Sequence, residues 1–314
     1  MEQRYAGRSG LSVSRLGLGT MTWGRDTGAE EAAAQLRAFA EAGGTLIDTA
    51  DVYSGGDAEL LLGRLMRDVV PRSELVVATK AVLTPDGPRP CDASRRHLIA
   101  AADASLARLG VNDVELWQLH AFDPDVPLEE TLAAVDTIVT SGRAAYAGVC
   151  NYAGWQLAAA AVGQRSARDS APIVAVQAEY SLLARDAERE LLPAAEYAGA
   201  GLLAWSPLGR GVLTGKYRTG IPADSRAATP HFADFVRPYL DERSRRVVES
   251  VATAAEGLGV SPLSVALSWV RDQPGVSAAI VGARTGAQLS GILQAEELTL
   301  PHEIREALDD VSAD

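Results

Sequence analysis

Residues 43–56 read GGTLIDTADVYSGG, and the stretch changes character halfway along. Thr45, Leu46 and Ile47 form the short apolar run of a strand buried in a parallel sheet. Gly43, just before them, suits the left-handed end of a helix. Asp48 then stands where the strand should stop, and Tyr53 follows in the next loop with glycines on both sides. A carboxylate at a strand tip beside a tyrosine is either a turn or part of a site. The rest of the sequence decides between them.

The same pattern recurs along the chain: an apolar run, a polar or glycine-containing link, then an alanine-rich amphipathic stretch. The other runs are RLGLGT near Leu16, ELVVATK near Val77, VELWQLH near Leu116 and AAYAGVCN near Val149. They continue with IVAVQAEY near Val176, GLLAWSP near Leu203 and SAAIVGAR near Ile280, which makes eight with the opening stretch. Their continuous rather than alternating apolarity predicts strands covered on both faces. Helix signals lie between them. Thr27 with Glu30 can form a capping box for a helix from Ala29 to Ala42. Gly110 and Gly142 close two further helical stretches, and Pro127 fits a first turn.

The first seven strands recur at roughly 30 residues, the length of a βαβ unit. Eight strands alternating with helices predict a closed (β/α)₈ TIM barrel, with an open doubly wound sheet as the alternative. RYAGRSGLSVS before the first strand reads as a hairpin capping the barrel floor. After the seventh strand, Ser206 to Ser244 is a long Gly-, Pro- and Arg-rich loop or lid. No linker interrupts the pattern, so residues 1–314 are expected to form one domain.

Composition narrows the class. Apolar residues are 47% and charged residues 22%, the balance of a globular chain. The net charge of −12 and the lack of a basic stripe argue against a nucleic-acid partner. A small anionic cofactor needs only a local cluster of positive charge. Cys91 and Cys150 show no metal or disulfide spacing, and no apolar run is long enough to span a membrane. A cytoplasmic location without a signal peptide and without a bound metal is the expectation.

In such a barrel, reactive groups come from the C-terminal ends of the strands. Those ends carry Asp48 after strand two, Lys80 after strand three and His120 after strand four, with Tyr53 in the loop after strand two. Singly, each has a structural reading: a turn cap, a packed rim ring, a solvated lysine, a satisfied histidine. Together on one rim they predict a site suited to carbonyl reduction. Hydride addition to C=O creates an alkoxide, which needs a proton donor. Lys80 beside Tyr53 would lower the phenol pKa, and Asp48 would keep Lys80 charged. His120 would hold the carbonyl oxygen or assist proton donation.

With these residues in place, the chain resembles the aldo-keto reductases. The likeness runs from GLGTMTWG through LIDTADVY, VATK, LWQLH, GVCNY, VQAEYSLL and WSPLGRGVLTGKY to IVGAR. It implies Asp48, Tyr53, Lys80 and His120 as a catalytic tetrad, with Tyr53 the general acid. No G-x-G-x-x-G follows a strand, and the resemblance instead implies an extended nicotinamide cofactor across the barrel mouth. NADPH is expected, with NADH as a second choice. Thr20, Met21 and Asp48 would approach the nicotinamide end. Cys150, Asn151 and Gln177 would hold the carboxamide, and Trp205 would offer a flat face to the ring. Many relatives have serine at Cys150, and a thiol is a weaker donor.

Ser206, Pro207, Leu208 and Gly209 would clasp the pyrophosphate, with Lys216 as charge partner. Arg226, Gly282, Arg284 and Gln288 would surround the adenosine end, the arginines gripping a 2′-phosphate. Gly291 and Ile292 stand where many relatives carry polar adenine contacts. Trp23, Tyr53 and His120 would line the substrate side, and a lid around His231, Phe232 and Phe235 is the other candidate element. No arginine cluster marks an acidic substrate, so a small aldehyde or ketone is expected. Oligomeric state is left open. The resemblance extends to the β subunits of voltage-gated potassium channels, so the alternative is a cofactor-binding regulatory or redox-sensing subunit with little turnover. A Schiff-base role for Lys80 is disfavoured, because Asp48 would hold it protonated.

Overall fold

The eight apolar runs become parallel strands that close on themselves. The computed structural model describes residues 1–166, 170–223 and 225–313. In chain order, the hairpin strands β1 (Gln3–Tyr5) and β2 (Ser12–Ser14) precede β3 (Leu16–Gly19), α1 (Ala29–Glu41), β4 (Leu46–Asp48) and α2 (Asp57–Asp68). There follow β5 (Val76–Ala81), α3 (Arg95–Leu109), β6 (Val114–Leu119), α4 (Leu128–Thr140), β7 (Ala144–Cys150) and α5 (Gly154–Ser166). Next come β8 (Ile173–Glu179), α6 (Leu191–Ala198), β9 (Gly201–Trp205), α7 (Pro230–Val236) and α8 (Glu242–Leu258). The chain ends with α9 (Pro262–Arg271), β10 (Val276–Val281), α10 (Gly286–Gln294) and α11 (His302–Ser312). Strands β3 to β10 pair in sequence order, and β10 returns to β3 with Ile280 opposite Gly17. That pairing closes a (β/α)₈ barrel and excludes the open sheet.

Both faces of these strands are covered, which explains their unbroken apolarity. All six residues of β10 are buried, as are Ile173 to Ala178 of β8. Each helix turns one stripe inward: Leu61, Leu62, Leu65 and Met66 from α2, Leu36 and Phe39 from α1. Burying a side chain of this size stabilises by about 1.5–3 kcal/mol. The predicted hairpin is antiparallel and sits under the barrel, where Ala6, Leu11 and Val13 join Leu46, Leu116 and Leu203 in one buried cluster. Gly7 makes this fit, because an added Cβ would lie 2.3 Å from the Gly199 carbonyl oxygen.

Helix ends follow local chemistry with one correction. Gly43, Gly110 and Gly142 all adopt positive φ at or just beyond helix C-termini, as predicted. The Thr27–Glu30 capping box does not form: Gly28 is the N-cap without a side-chain bond. The Thr27 hydroxyl instead pairs with that of Thr22 at 2.9 Å, which tightens the β3–α1 turn. The long segment after β9 is also more ordered than a loop. It holds single helical turns and α7, which starts at Pro230 and buries Phe232 and Val236.

Candidate active site

The C-terminal ends of the strands surround a cavity of about 580 Å³, within the usual range for small-molecule sites. Asp48 ends β4, Lys80 lies near the end of β5, His120 follows β6 and Tyr53 begins the turn before α2. The four come together. Lys80 Nζ donates to Asp48 Oδ2 at 2.7 Å and to the Thr49 carbonyl at 2.8 Å, and reaches Tyr53 Oη at 3.5 Å. The rings of Tyr53 and His120 meet edge to face, 5.9 Å between centroids. Gln177 Nε2 donates to the second carboxylate oxygen of Asp48 at 2.7 Å, so neither oxygen is left bare.

The electrostatics depart from the sequence expectation at Tyr53. Burial pushes its phenol up to about 12, and the Lys80 charge pulls against this without overcoming it. Lys80 itself would lose affinity for its proton through burial, but Asp48 outweighs that and holds it above the ordinary lysine range. His120 is driven down to about 3 by burial and then by Lys80, so its imidazole is neutral at working pH. Its Nδ1 is buried and finds no protein partner among the described residues. The site thus holds one buried ion pair, a protonated phenol and a neutral imidazole.

The neighbouring groups are engaged with one another. Asn151 Nδ2 donates to the His120 carbonyl at 3.1 Å and its Oδ1 accepts from Trp205 Nε1 at 3.0 Å. Cys150 lies 3.7 Å from Gln177 Oε1, and burial raises its thiol to about 12, so it is not a nucleophile. The Trp205 ring faces Phe235 of α7 in near-parallel stacking, 19° between planes. Arg226, Gly282, Arg284, Gln288 and Lys216 also line the cavity, with Arg226 beside Gly282. Arg226 is lowered by burial and by the like charge of Arg284.

Three predicted contacts lie away from the cavity. Trp23 is fully buried, with its indole N–H on Gln35 Oε1 at 3.1 Å. The tight turn from Thr20 to Trp23 rotates the ring under α1, so it supports the rim through its carbonyl, which accepts from Ser54. Thr20 lies behind the wall, with its N–H and hydroxyl on the Asp48 carbonyl. Gly209 is buried against Leu183 and serves the turn geometry, at φ +54. Met21, Ser206, Pro207 and Leu208 do line the cavity, as do Gly291 and Ile292.

Sequence reading missed Arg210. It lines the cavity, forms a two-pronged pair with Glu179 at 2.6–2.7 Å and stacks 4.0 Å from the Phe235 ring centroid. Its position between two glycines, in LGRG, was the available signal. The rim also concentrates unusual backbone. Ser54, Val82, Asn151, Ser206 and Arg210 all adopt positive φ and are the non-glycine residues described that do so. Each sits just past a strand end or in the loop that follows.

Comparison with known proteins agrees with this geometry. A sequence profile of the aldo/keto reductase family matches residues 15–313. A probable voltage-gated potassium channel subunit beta from Oryza sativa subsp. japonica is 36% identical over 318 residues, covering 100% of this chain and 96% of that protein. An uncharacterized oxidoreductase, YrpG, from Bacillus subtilis (strain 168) is 36% identical over 325 residues, covering 99% of this chain and 96% of its own. The chain therefore belongs to the aldo/keto reductase family, oxidoreductases that act on small carbonyl compounds. Among the described residues, no single helix is long and apolar enough to cross a membrane.

Proposed function

We propose that the protein reduces small aldehydes or ketones to alcohols with NADPH, Tyr53 acting as general acid. The observation that carries this reading is the fully buried Lys80, held between Asp48 and Tyr53, both of which line the cavity. The cavity fits the cofactor by its donor set: Arg226 and Arg284, which feel each other's charge, Lys216, and the Asn151, Gln177 and Trp205 group beside Asp48 all line it. Those residues would hold, in that order, the adenosine phosphate, the pyrophosphate and the nicotinamide. When bound, the nicotinamide supplies hydride to the carbonyl carbon.

The chain's own residues manage the proton. Tyr53 Oη gives its proton to the carbonyl oxygen as negative charge develops there, and Lys80 stabilises the phenolate left behind. A raised phenol pKa is compatible with this, because an alkoxide is a much stronger base than a phenolate. It also keeps Tyr53 protonated throughout the working range. Neutral His120 can donate a hydrogen bond to the carbonyl oxygen but cannot act as a cationic acid. Val52 and Leu83 give the substrate side an apolar wall, which excludes water and favours uncharged carbonyls.

The test is loss of NADPH absorbance with a panel of aldehydes, wild type beside Tyr53→Phe. Turnover should fall about 10²–10⁴-fold in the variant, the usual worth of a positioned acid, with NADPH binding retained. Equal rates would refute the role of Tyr53. The relative named as a channel subunit favours a second reading, a subunit that retains cofactor with little turnover. One rapid turnover per bound NADPH followed by slow exchange would support that reading instead.

A further inference from the structure

Between Asp48 and Tyr53 lies a third acid that the proposed mechanism does not use. Asp51 donates its backbone N–H to the Lys80 carbonyl at 3.0 Å, which ties the Tyr53 turn to the strand carrying the lysine. Its carboxyl is largely buried, and Oδ1 has no hydrogen-bond partner among the described residues. Nearby, Glu59 of α2 is fully buried and accepts from Thr79 Oγ1 at 2.5 Å and Arg108 Nε at 2.7 Å. Thr79 is the residue before Lys80. Glu59 and Asp51 are therefore both tied to the strand that carries Lys80, one through Thr79 and the other through its backbone.

We propose that Asp51 is a positioning residue for Tyr53 and Lys80: its neutral carboxyl lets the turn from Thr49 to Tyr53 pack against β5, and its ionisation beside Glu59 loosens that turn and weakens proton donation. The inference rests on the reading of Tyr53 as acid and Lys80 as its support. The charged groups facing Asp51 are Glu59 from α2, Arg108 from α3 and Lys80 from β5. Burial, and then the Glu59 charge, push the Asp51 carboxyl up to about 7, against the weaker pull of the Val52 N–H, Arg108 and Lys80. Arg108 is already committed to Glu59, so it relieves the pair only in part. An ionised Asp51 has two effects on the chemistry. It repels Glu59 through the turn that carries Tyr53, and it adds a negative charge facing Lys80, which weakens the lysine's hold on the phenolate.

Burial pushes Tyr53 and His120 away from neutrality and Asp51 toward it, so the inference predicts a neutral-range inflection in the rate that depends on Asp51. Wild type should lose about tenfold in kcat/KM for an aldehyde between about pH 6 and pH 8.5, with a midpoint near neutrality. Asp51→Asn, which mimics the neutral carboxyl, should keep its low-pH rate across that range. Glu59→Gln removes the neighbouring charge, so its inflection should move to lower pH. An unchanged decline in Asp51→Asn would overturn the inference.

Thermal unfolding tests the same group without turnover, and so separates this idea from the assignment of activity. The folded-state value lies above the unfolded carboxyl value, so folding binds an extra proton and stability falls as pH rises from about 4 to 7. Asp51→Asn lacks that loss. Its melting temperature should match wild type near pH 4 and exceed it by several degrees at pH 8. Parallel curves would overturn the inference even if no substrate were found. A divergence in melting with no turnover in either protein would instead uphold the buried acid and count against the proposed reductase function.

Discussion

At the scale of single residues, the organising feature is the Lys80–Asp48 pair, fully buried on one side and nearly so on the other. Removing one member of a buried pair costs about 3–5 kcal/mol, because the other charge is left without compensation. Asp48→Asn should therefore unfold at clearly lower urea concentration than wild type. Because Asp48 holds Lys80 above its ordinary value, the pair's contribution is intact at neutral pH and is lost only as pH rises into the strongly alkaline range. In the variant burial prevails and holds Lys80 below its unfolded value, so the alkaline loss should disappear and stability should instead rise as pH increases toward the lysine range. A pH series of urea midpoints measures both effects. The identity of the four convergent residues was legible in the sequence, because strand tips are countable and residue types are known. The acidity of Tyr53 was not, because burial is a property of the folded neighbourhood. Trp23 failed for a similar reason: a rim position does not say which way a ring turns.

At the scale of elements, two glycines in helices carry opposite meanings. In α2, a Cβ on Gly63 would lie 2.5 Å from the Leu109 carbonyl oxygen at the end of α3. Gly257 in α8 faces open space, with no atom within 4 Å of its Cβ position. Gly63→Ala should destabilise by about 1–3 kcal/mol through overpacking. Gly257→Ala should stabilise by about 0.5–1 kcal/mol through helix propensity. Melting temperatures moving in opposite directions would bear this out, and a stabilised Gly63→Ala would show that α2 and α3 are less closely packed. The strands were legible because both of their faces are covered, and α7 was not. Seven residues beginning at Pro230, inside a Gly- and Pro-rich segment, carry too short a periodic signal to stand out. The missing capping box has a comparable cause: Thr22 captured the Thr27 hydroxyl, a contact invisible from local spacing.

At the scale of the whole molecule, a net charge of −12 surrounds a small basic interior formed by Lys216, Arg226 and Arg284 at the cavity. The proposed preference for NADPH then depends on screening. NADPH affinity should weaken about threefold more than NADH affinity as salt rises from about 50 to 500 mM, because only the former presents a 2′-phosphate to the arginines. Fluorescence titration of both cofactors checks this, and parallel salt curves would remove Arg226 and Arg284 from that role. Closure of the barrel was legible from the regular strand spacing. The direction of the sites on its rim followed from closure alone.

The five non-glycine residues at positive φ all lie on that rim. Residues held in such backbone typically cost about 1–3 kcal/mol each. A laboratory evolution campaign selecting only for heat tolerance would find its easiest gains there, by glycine replacement at Val82 or Arg210. It would improve the scaffold by dismantling the mouth. Selection for both traits should leave these five positions alone and accumulate its changes on the outer helices and around the hairpin.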